Sequence, residues 1–301
     1  MGPAMKRLLA ALLGTVFALW VAVAPAQDGG GRPLPGPQGP ERGAYREQLW
    51  LVPSQDTSVL MRTTVFRPKG DGPFPLVVIN HGSVQNAEER RKFAQPVFAA
   101  GAEFFVQRGY AVAVPQRPGH GATGGPYFEA QGSPCENANY VKSALAVADS
   151  ITAAIGYMTQ QQFVKRDGIV VVGQSAGGWG TLGLASRNPK NVTAIVNFAG
   201  GRGGRVYNRP NNNCAPEKLV EAAAVLGTTA RIPVLSIYTE NDSYFSADLS
   251  QKIADAYRNA GGRMDYRLLP AFGDDGHRLF GARDGLVIWG PLVDGFLKSL
   301  R

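Results

Sequence analysis

Histidine and cysteine are scarce in this chain. In 301 residues there are three histidines, His81, His120 and His277, and two cysteines, Cys135 and Cys214. No Cys-x-x-Cys and no spaced histidine pair occurs, which excludes a zinc site of that kind; no metal and no cofactor is implied. Positive charge is in excess, with a formal net charge of +8. Yet Lys and Arg are scattered, with no basic run and no interleaved aromatics, which argues against nucleic-acid binding. Past residue 23 no apolar run is long enough to span a bilayer. There is no internal repeat. Two cysteines allow one disulfide at most.

The N-terminus supplies the context for that disulfide. Lys6 and Arg7 precede an apolar run over residues 8–23, and Ala24-Pro25-Ala26 fits a small-residue cleavage site. Residues 1–26 read as a signal peptide, with a retained anchor as the alternative. The mature protein is then exported, to a periplasm or beyond, with no membrane association after cleavage. Loss of Lys6 and Arg7 lowers the net charge from +8 to +6. Residues 27–43, dominated by Gly and Pro, read as a flexible linker. Residues 44–301 suit one large domain.

Along that domain the periodicity predicts eight strands. The first two, over residues 45–52 and 59–67, flank a polar turn and form an antiparallel hairpin. Apolar strands follow at 75–80, 109–115, 169–172, 192–198, 232–239 and 264–269. Helical stretches lie between them, over 87–108 with an interruption at Pro96, 139–162, 216–226 and 245–259, and 286–300 closes the chain. Strict alternation of strand and helix argues a mostly parallel sheet covered on both faces.

One stretch carries the chemistry. The β-branched run Ile169-Val170-Val171-Val172 leads into Gly173-Gln174-Ser175-Ala176-Gly177, and a helical run follows. A serine at the apex of a strand–turn–helix is held in a strained conformation with its hydroxyl exposed. Glycines at 173 and 177 avoid collision with the neighbouring strand and helix. The Ala176 amide, at a helix N-terminus, is placed to stabilise negative charge. Trp179 is expected to pack the helix into the core.

A serine nucleophile needs a base, and the base an orienting carboxylate. All three histidines follow strand ends, where ligands of parallel sheets sit. The chain order nucleophile, acid, base selects Asp242 and His277. Glu240, Asp248 and Asp274 are the weaker candidates for the acid. His81 opens a loop in which an oxyanion hole is usually built, with Ser83 supplying the second amide donor beside Ala176. Arg202, Arg205 and Arg209 read as solvated loop charges, with preference for an acidic acyl group as the alternative.

The elbow at Ser175, the His81-Gly82 loop, Asp242 and His277 together resemble the α/β-hydrolase family over roughly residues 45–301, in its dienelactone-hydrolase-like and secreted carboxylesterase branch. The resemblance implies an α/β-hydrolase fold: an eight-stranded, mostly parallel sheet with helices on both faces. No large helical lid is evident. Dienelactone hydrolases proper use cysteine as nucleophile. Serine at 175 favours ordinary carboxylic esters, so the expected partner is a small-molecule ester. In the family layout the loops after the fourth and sixth strands face each other across Ser175, which would let Cys135 and Cys214 join in a disulfide. Two other functions share the elbow: a serine peptidase of prolyl-oligopeptidase type, and a catalytically silent binding module. The first lacks its usual preceding propeller here, and the second is disfavoured by an intact Ser, Asp and His set.

Overall fold

The computed structural model describes residues 33–300. The signal-peptide reading and the first part of the linker lie outside the described residues. Of these, residues 34–300 form one compact unit.

The β-branched runs pair as their apolarity requires. β1 (Gly36–Arg42), β2 (Glu47–Pro53), β3 (Leu60–Phe66), β4 (Leu76–Asn80), β5 (Ala111–Pro115), β6 (Ile169–Gln174), β7 (Val192–Phe198), β8 (Val234–Thr239) and β9 (Met264–Leu269) join in one sheet. Its order is β1-β2-β3-β5-β4-β6-β7-β8-β9. The first three strands and the β3–β5 pair run antiparallel, and from β5 to β9 every pair is parallel. The central strands β4, β5 and β8 are buried along their whole length. Strands covered on both faces have no polar side to show, which is why they read as continuous apolar runs. Edge strand β9 instead mixes exposed and half-buried residues.

The helices divide between the two faces. α3 (Tyr140–Met158), α4 (Ala176–Arg187), α5 (Pro216–Thr229) and α6 (Ala247–Asn259) cover one, sharing a core with Val78, Val171 and Ile195. α2 (Ala99–Val106) and α7 (Leu286–Lys298) cover the other, packing Phe104, Phe105 and Trp289 on Ile79, Val172 and Val196. Period-two alternation along β4, β6 and β7 is what splits their side chains between these two cores. Trp179 is fully buried and donates its indole N–H to the Tyr140 carbonyl at 2.9 Å.

Two expectations need correction. The sheet has nine strands among the described residues, because Gly36–Arg42, expected within a linker, pairs with β2. Prolines are tolerated there because an edge strand can leave one side of its backbone unpaired. Glu41 fixes the end of β1 through ion pairs with Arg46 and Arg67. The helical period over residues 87–108 also yields two short helices rather than one interrupted helix. α1 (Ala87–Arg91) ends well before Pro96, and α2 starts only after Phe98, whose φ is 47°.

Candidate active site

β6 delivers Ser175 to the sheet's carboxyl edge and α4 starts at the next residue. Ser175 has φ 54° and ψ −121°, a conformation that costs about 1–3 kcal/mol for a residue with a side chain. Its neighbours enforce it. The Ser175 amide donates to the Phe198 carbonyl at 2.9 Å, and its carbonyl accepts from Trp179 at 2.8 Å and Gly201 at 3.2 Å. The flanking glycines are sterically obligatory. A Cβ on Gly173 would stand 2.5 Å from the Gly177 carbonyl carbon, and one on Gly177 would stand 2.3 Å from the Asn80 carbonyl oxygen.

The loops after β8 and β9 bring Asp242 and His277 together. His277 Nδ1 lies 3.0 and 3.1 Å from the two Asp242 carboxylate oxygens. A carboxylate only accepts, so Nδ1 carries the ring proton and Nε2 is left as an acceptor. Asp242 is itself held by the amides of Tyr244 and Phe245, at 2.7 and 3.0 Å. The other acids are elsewhere: Glu240 and Asp274 are exposed, and Asp248 pairs with Lys252 on α6.

Three contacts orient the imidazole that the sequence does not advertise. The Tyr244 ring stacks on it at 4.1 Å with 24° between planes. Asp275 accepts from the His277 amide at 3.1 Å and from the Ser243 hydroxyl at 2.7 Å. Gln174, inside the elbow, donates from Nε2 to the His277 carbonyl at 2.8 Å. That bond ties the loop of His277 to the residue next to Ser175. No spacing rule marks such side chains, since their partners lie on separate loops.

Two cavities meet at Ser175. One, of about 620 Å³, is the more polar of the two, with a lining about half polar and half apolar that includes Asn86, Arg202, Arg205 and Tyr207. The other, of about 530 Å³, is apolar, with Phe93, Pro96, Val97 and Phe98 in its wall. Ser83, Ser175 and Tyr244 belong to both; Ala176 lines the polar cavity and His277 the apolar one. A Cβ on Gly82 would lie 3.2 Å from the Ser175 Cβ, so the backbone before Ser83 runs close to Ser175.

The other two histidines are used behind the site. His81 Nε2 accepts from the Arg117 amide at 3.0 Å, and its Nδ1 faces the Gly82 carbonyl. Burial, then the nearby Arg117 charge, pushes its pKa well down. His120 Nε2 lies 2.8 Å from the Ser83 hydroxyl, and burial above all lowers its pKa to about 4. Between them Glu129 binds Arg117 at 2.7 and 3.1 Å and Arg202 at 3.2 Å. Burial works to raise the Glu129 pKa, and the Arg117 guanidinium foremost outweighs it, holding the carboxyl far below the usual range. Arg202 is therefore no solvated loop charge: it is buried, because its partner arrives from a loop 73 residues away. Arg205 is half-buried and bonds the Ser243 hydroxyl at 2.8 Å, while Arg209 is exposed.

Cys135 and Cys214 form a disulfide, with Cα atoms 5.2 Å apart. It joins the loop that carries Tyr127 and Glu129 to the loop that carries Arg202 and Arg205. The Tyr140 hydroxyl donates to the Cys214 carbonyl beside it. Among the described residues no group of acidic, histidine or cysteine side chains is placed to hold a metal ion.

Residues 56–258 match the family described as X-Pro dipeptidyl-peptidase (S15 family). No curated protein sequence matches the chain. Solved structures share the fold at low identity. A protein assigned as a dienelactone hydrolase from Klebsiella pneumoniae subsp. pneumoniae is 19% identical with a TM-score of 0.56, over 84% of this chain and 98% of its own. The esterase Pf2001 of Pyrococcus furiosus is 15% identical with a TM-score of 0.59, over 88% of this chain and 97% of its own. The acylaminoacyl peptidase of Pyrococcus horikoshii is 14% identical with a TM-score of 0.60, and this chain spans 85% of itself but only 42% of that protein. These likenesses place the chain in the α/β-hydrolase fold.

Proposed function

The chain belongs to the X-Pro dipeptidyl-peptidase (S15) family, and from that premise we propose that it is an exported serine hydrolase that cleaves carboxylic esters through an acyl-enzyme on Ser175. The observation that carries the reading is the strained Ser175 at the junction of two cavities, one of which is also lined by His277, itself paired with Asp242. Ser175 Oγ attacks the ester carbonyl as His277 Nε2 takes its proton. The amides of Ser83 and Ala176 stabilise the tetrahedral oxyanion; each such donor is worth about 3–4 kcal/mol in the barrier. His277 then protonates the departing alcohol, and water hydrolyses the acyl-enzyme by the same steps.

The two cavities divide the substrate. A leaving alcohol has to lie within reach of His277, which lines the apolar cavity, so the alcohol side is apolar. The acyl side then faces the polar cavity. Ester rather than dipeptide is favoured by the scarcity of carboxylates on that wall, where Glu89 is the single acid. A peptidase that releases dipeptides has to hold a free N-terminal ammonium, for which Glu89 is the one carboxylate on that wall, while Arg202 and Arg205 are already paired with Glu129 and Asp275. Export accords with the disulfide and with the lack, among the described residues, of any helix long and apolar enough to cross a membrane.

The family name supports a second reading, release of X-Pro dipeptides. A panel of p-nitrophenyl esters set against X-Pro p-nitroanilides separates the two. Ester turnover that vanishes in Ser175→Ala, with little or no anilide release, is the expected result. Preferential anilide cleavage would replace the ester reading with the peptidase one, and fluorophosphonate labelling of a residue other than Ser175 would refute both.

A further inference from the structure

Ser83 enters the reaction through its amide, yet its hydroxyl is also engaged, in a hydrogen-bond chain whose direction chemistry fixes from both ends. At one end Arg202 Nη2 lies 2.7 Å from Tyr127 Oη. A guanidinium only donates, so Tyr127 Oη accepts there and its own proton points elsewhere. Its other partner is Ser83 Oγ, at 3.2 Å. At the far end His120 Nδ1 faces the carbonyls of Arg117 and Pro118, at 3.3 and 3.2 Å. Carbonyls only accept, so Nδ1 holds the ring proton and Nε2 is bare toward Ser83 Oγ at 2.8 Å. The chain therefore runs from Arg202 to Tyr127 to Ser83 to His120, with the Ser83 hydroxyl accepting from tyrosine and donating to histidine.

Both ends are anchored to buried groups. Arg202 and Arg117 share Glu129, and Arg117 also donates to the His81 carbonyl at 2.7 Å. The Tyr127 ring is fixed from its face by the Arg90 guanidinium, 3.7 Å from the ring centroid. His81-Gly82-Ser83 is thus gripped on each side of the glycine that passes the nucleophile. Gly82 is by itself the most permissive backbone position in this loop.

We propose that Tyr127 and His120 are positioning residues for the oxyanion hole: by holding the Ser83 hydroxyl between a donor and an acceptor they fix the direction of the Ser83 amide. This rests on the serine-hydrolase reading above. With its proton given to His120, the hydroxyl is not itself the donor to the oxyanion.

The test uses variants that keep the amide. Ser83→Ala retains the N–H and loses the grip, Tyr127→Phe removes one oxygen and keeps the ring under Arg90, and Ser83→Thr restores a hydroxyl. Phosphonylation of Ser175 by a fluorophosphonate uses the same hole whatever the natural substrate, so its inactivation rate is one readout. Ester kcat and KM are the second. Ser83→Ala and Tyr127→Phe should each slow inactivation and lower kcat by about tenfold, a fraction of the loss from deleting a donor outright. KM should stay within about twofold, Ser83→Thr should recover most of the rate, and the double variant should be no slower than either single one. Wild-type rates in Ser83→Ala and Tyr127→Phe overturn the proposal. So does a loss in Ser83→Ala alone with Tyr127→Phe and His120→Gln silent, which would make the hydroxyl a direct donor. Loss of stability with an unchanged kcat in the folded fraction overturns it as well. A wild-type protein labelled at Ser175 but inert toward esters would sink only the ester reading, leaving the inactivation rates to judge the positioning.

Discussion

Acidification should destabilise this protein well before carboxylates protonate, and the cause is the buried His81–His120 pair. Each ring faces a carbonyl through Nδ1 and a donor through Nε2. A second proton would place an N–H against the Arg117 amide at His81, where a backbone donor cannot turn away. At His120 it would require the Ser83 hydroxyl to reverse. Both groups accordingly have lowered pKa values, from burial first and the Arg117 charge as well. A histidine whose pKa is lower folded than unfolded contributes fully above its unfolded value and loses that contribution as pH falls to its folded value, because the unfolded chain takes the proton first. For His120 the window runs from 6.5 down to about 4. That drop of roughly 2.5 pH units, at about 1.4 kcal/mol per unit, makes its loss about 3 kcal/mol in all. His81 adds in the same direction. Below about pH 4.5 the Glu129 carboxylate, whose folded pKa is depressed, adds a further acid loss. Urea unfolding measured from pH 7 to pH 4.5 reads the slope directly. His120→Gln removes one titrating ring, and its stability should depend on pH less steeply than the wild type by about 1.2 kcal/mol per pH unit near pH 5. Equal slopes in the two proteins would refute the account, whatever their absolute stabilities.

Two further outcomes follow from other contacts. Replacing Cys135 and Cys214 by serine opens a loop with a sequence separation of 79, which should cost about 4–5 kcal/mol by the chain-entropy relation; urea unfolding under non-reducing conditions checks it, and a loss below about 1 kcal/mol would show that the two loops are held by their other contacts. Gln174→Ala cuts the tie between the elbow and the His277 carbonyl and should lower kcat about tenfold with KM little changed; an unchanged kcat would mean that Asp275 and the Tyr244 stack suffice to hold the loop.

What the sequence determined by itself is what local chemistry dictates. The elbow was legible because a strand run, two glycines around a serine and a helix run lie within a dozen residues, and the collisions that require Gly173 and Gly177 come from that same short turn and the adjoining β4 strand. The buried strands were legible because a strand covered on both faces is mostly apolar, with few polar side chains such as Asn80 and Ser236. Chain order singled out Asp242 and His277, and the fold places the two 3.0 Å apart. Tertiary structure decided the rest. β1 was hidden because its order comes from the ladder it forms with β2 and from the Glu41 ion pairs, not from an apolar face of its own. Arg202 read as a solvent charge until Glu129, 73 residues earlier, turned it into a buried partner. The hydrogen-bond chain through Tyr127, Ser83 and His120, and the Gln174 tie to His277, join groups from separate loops at single-atom precision. Side-chain patterns report only which face of an element is apolar. Where one polar atom meets another is set by how the loops pack at the edge of the sheet, and that information exists only once the sheet has formed.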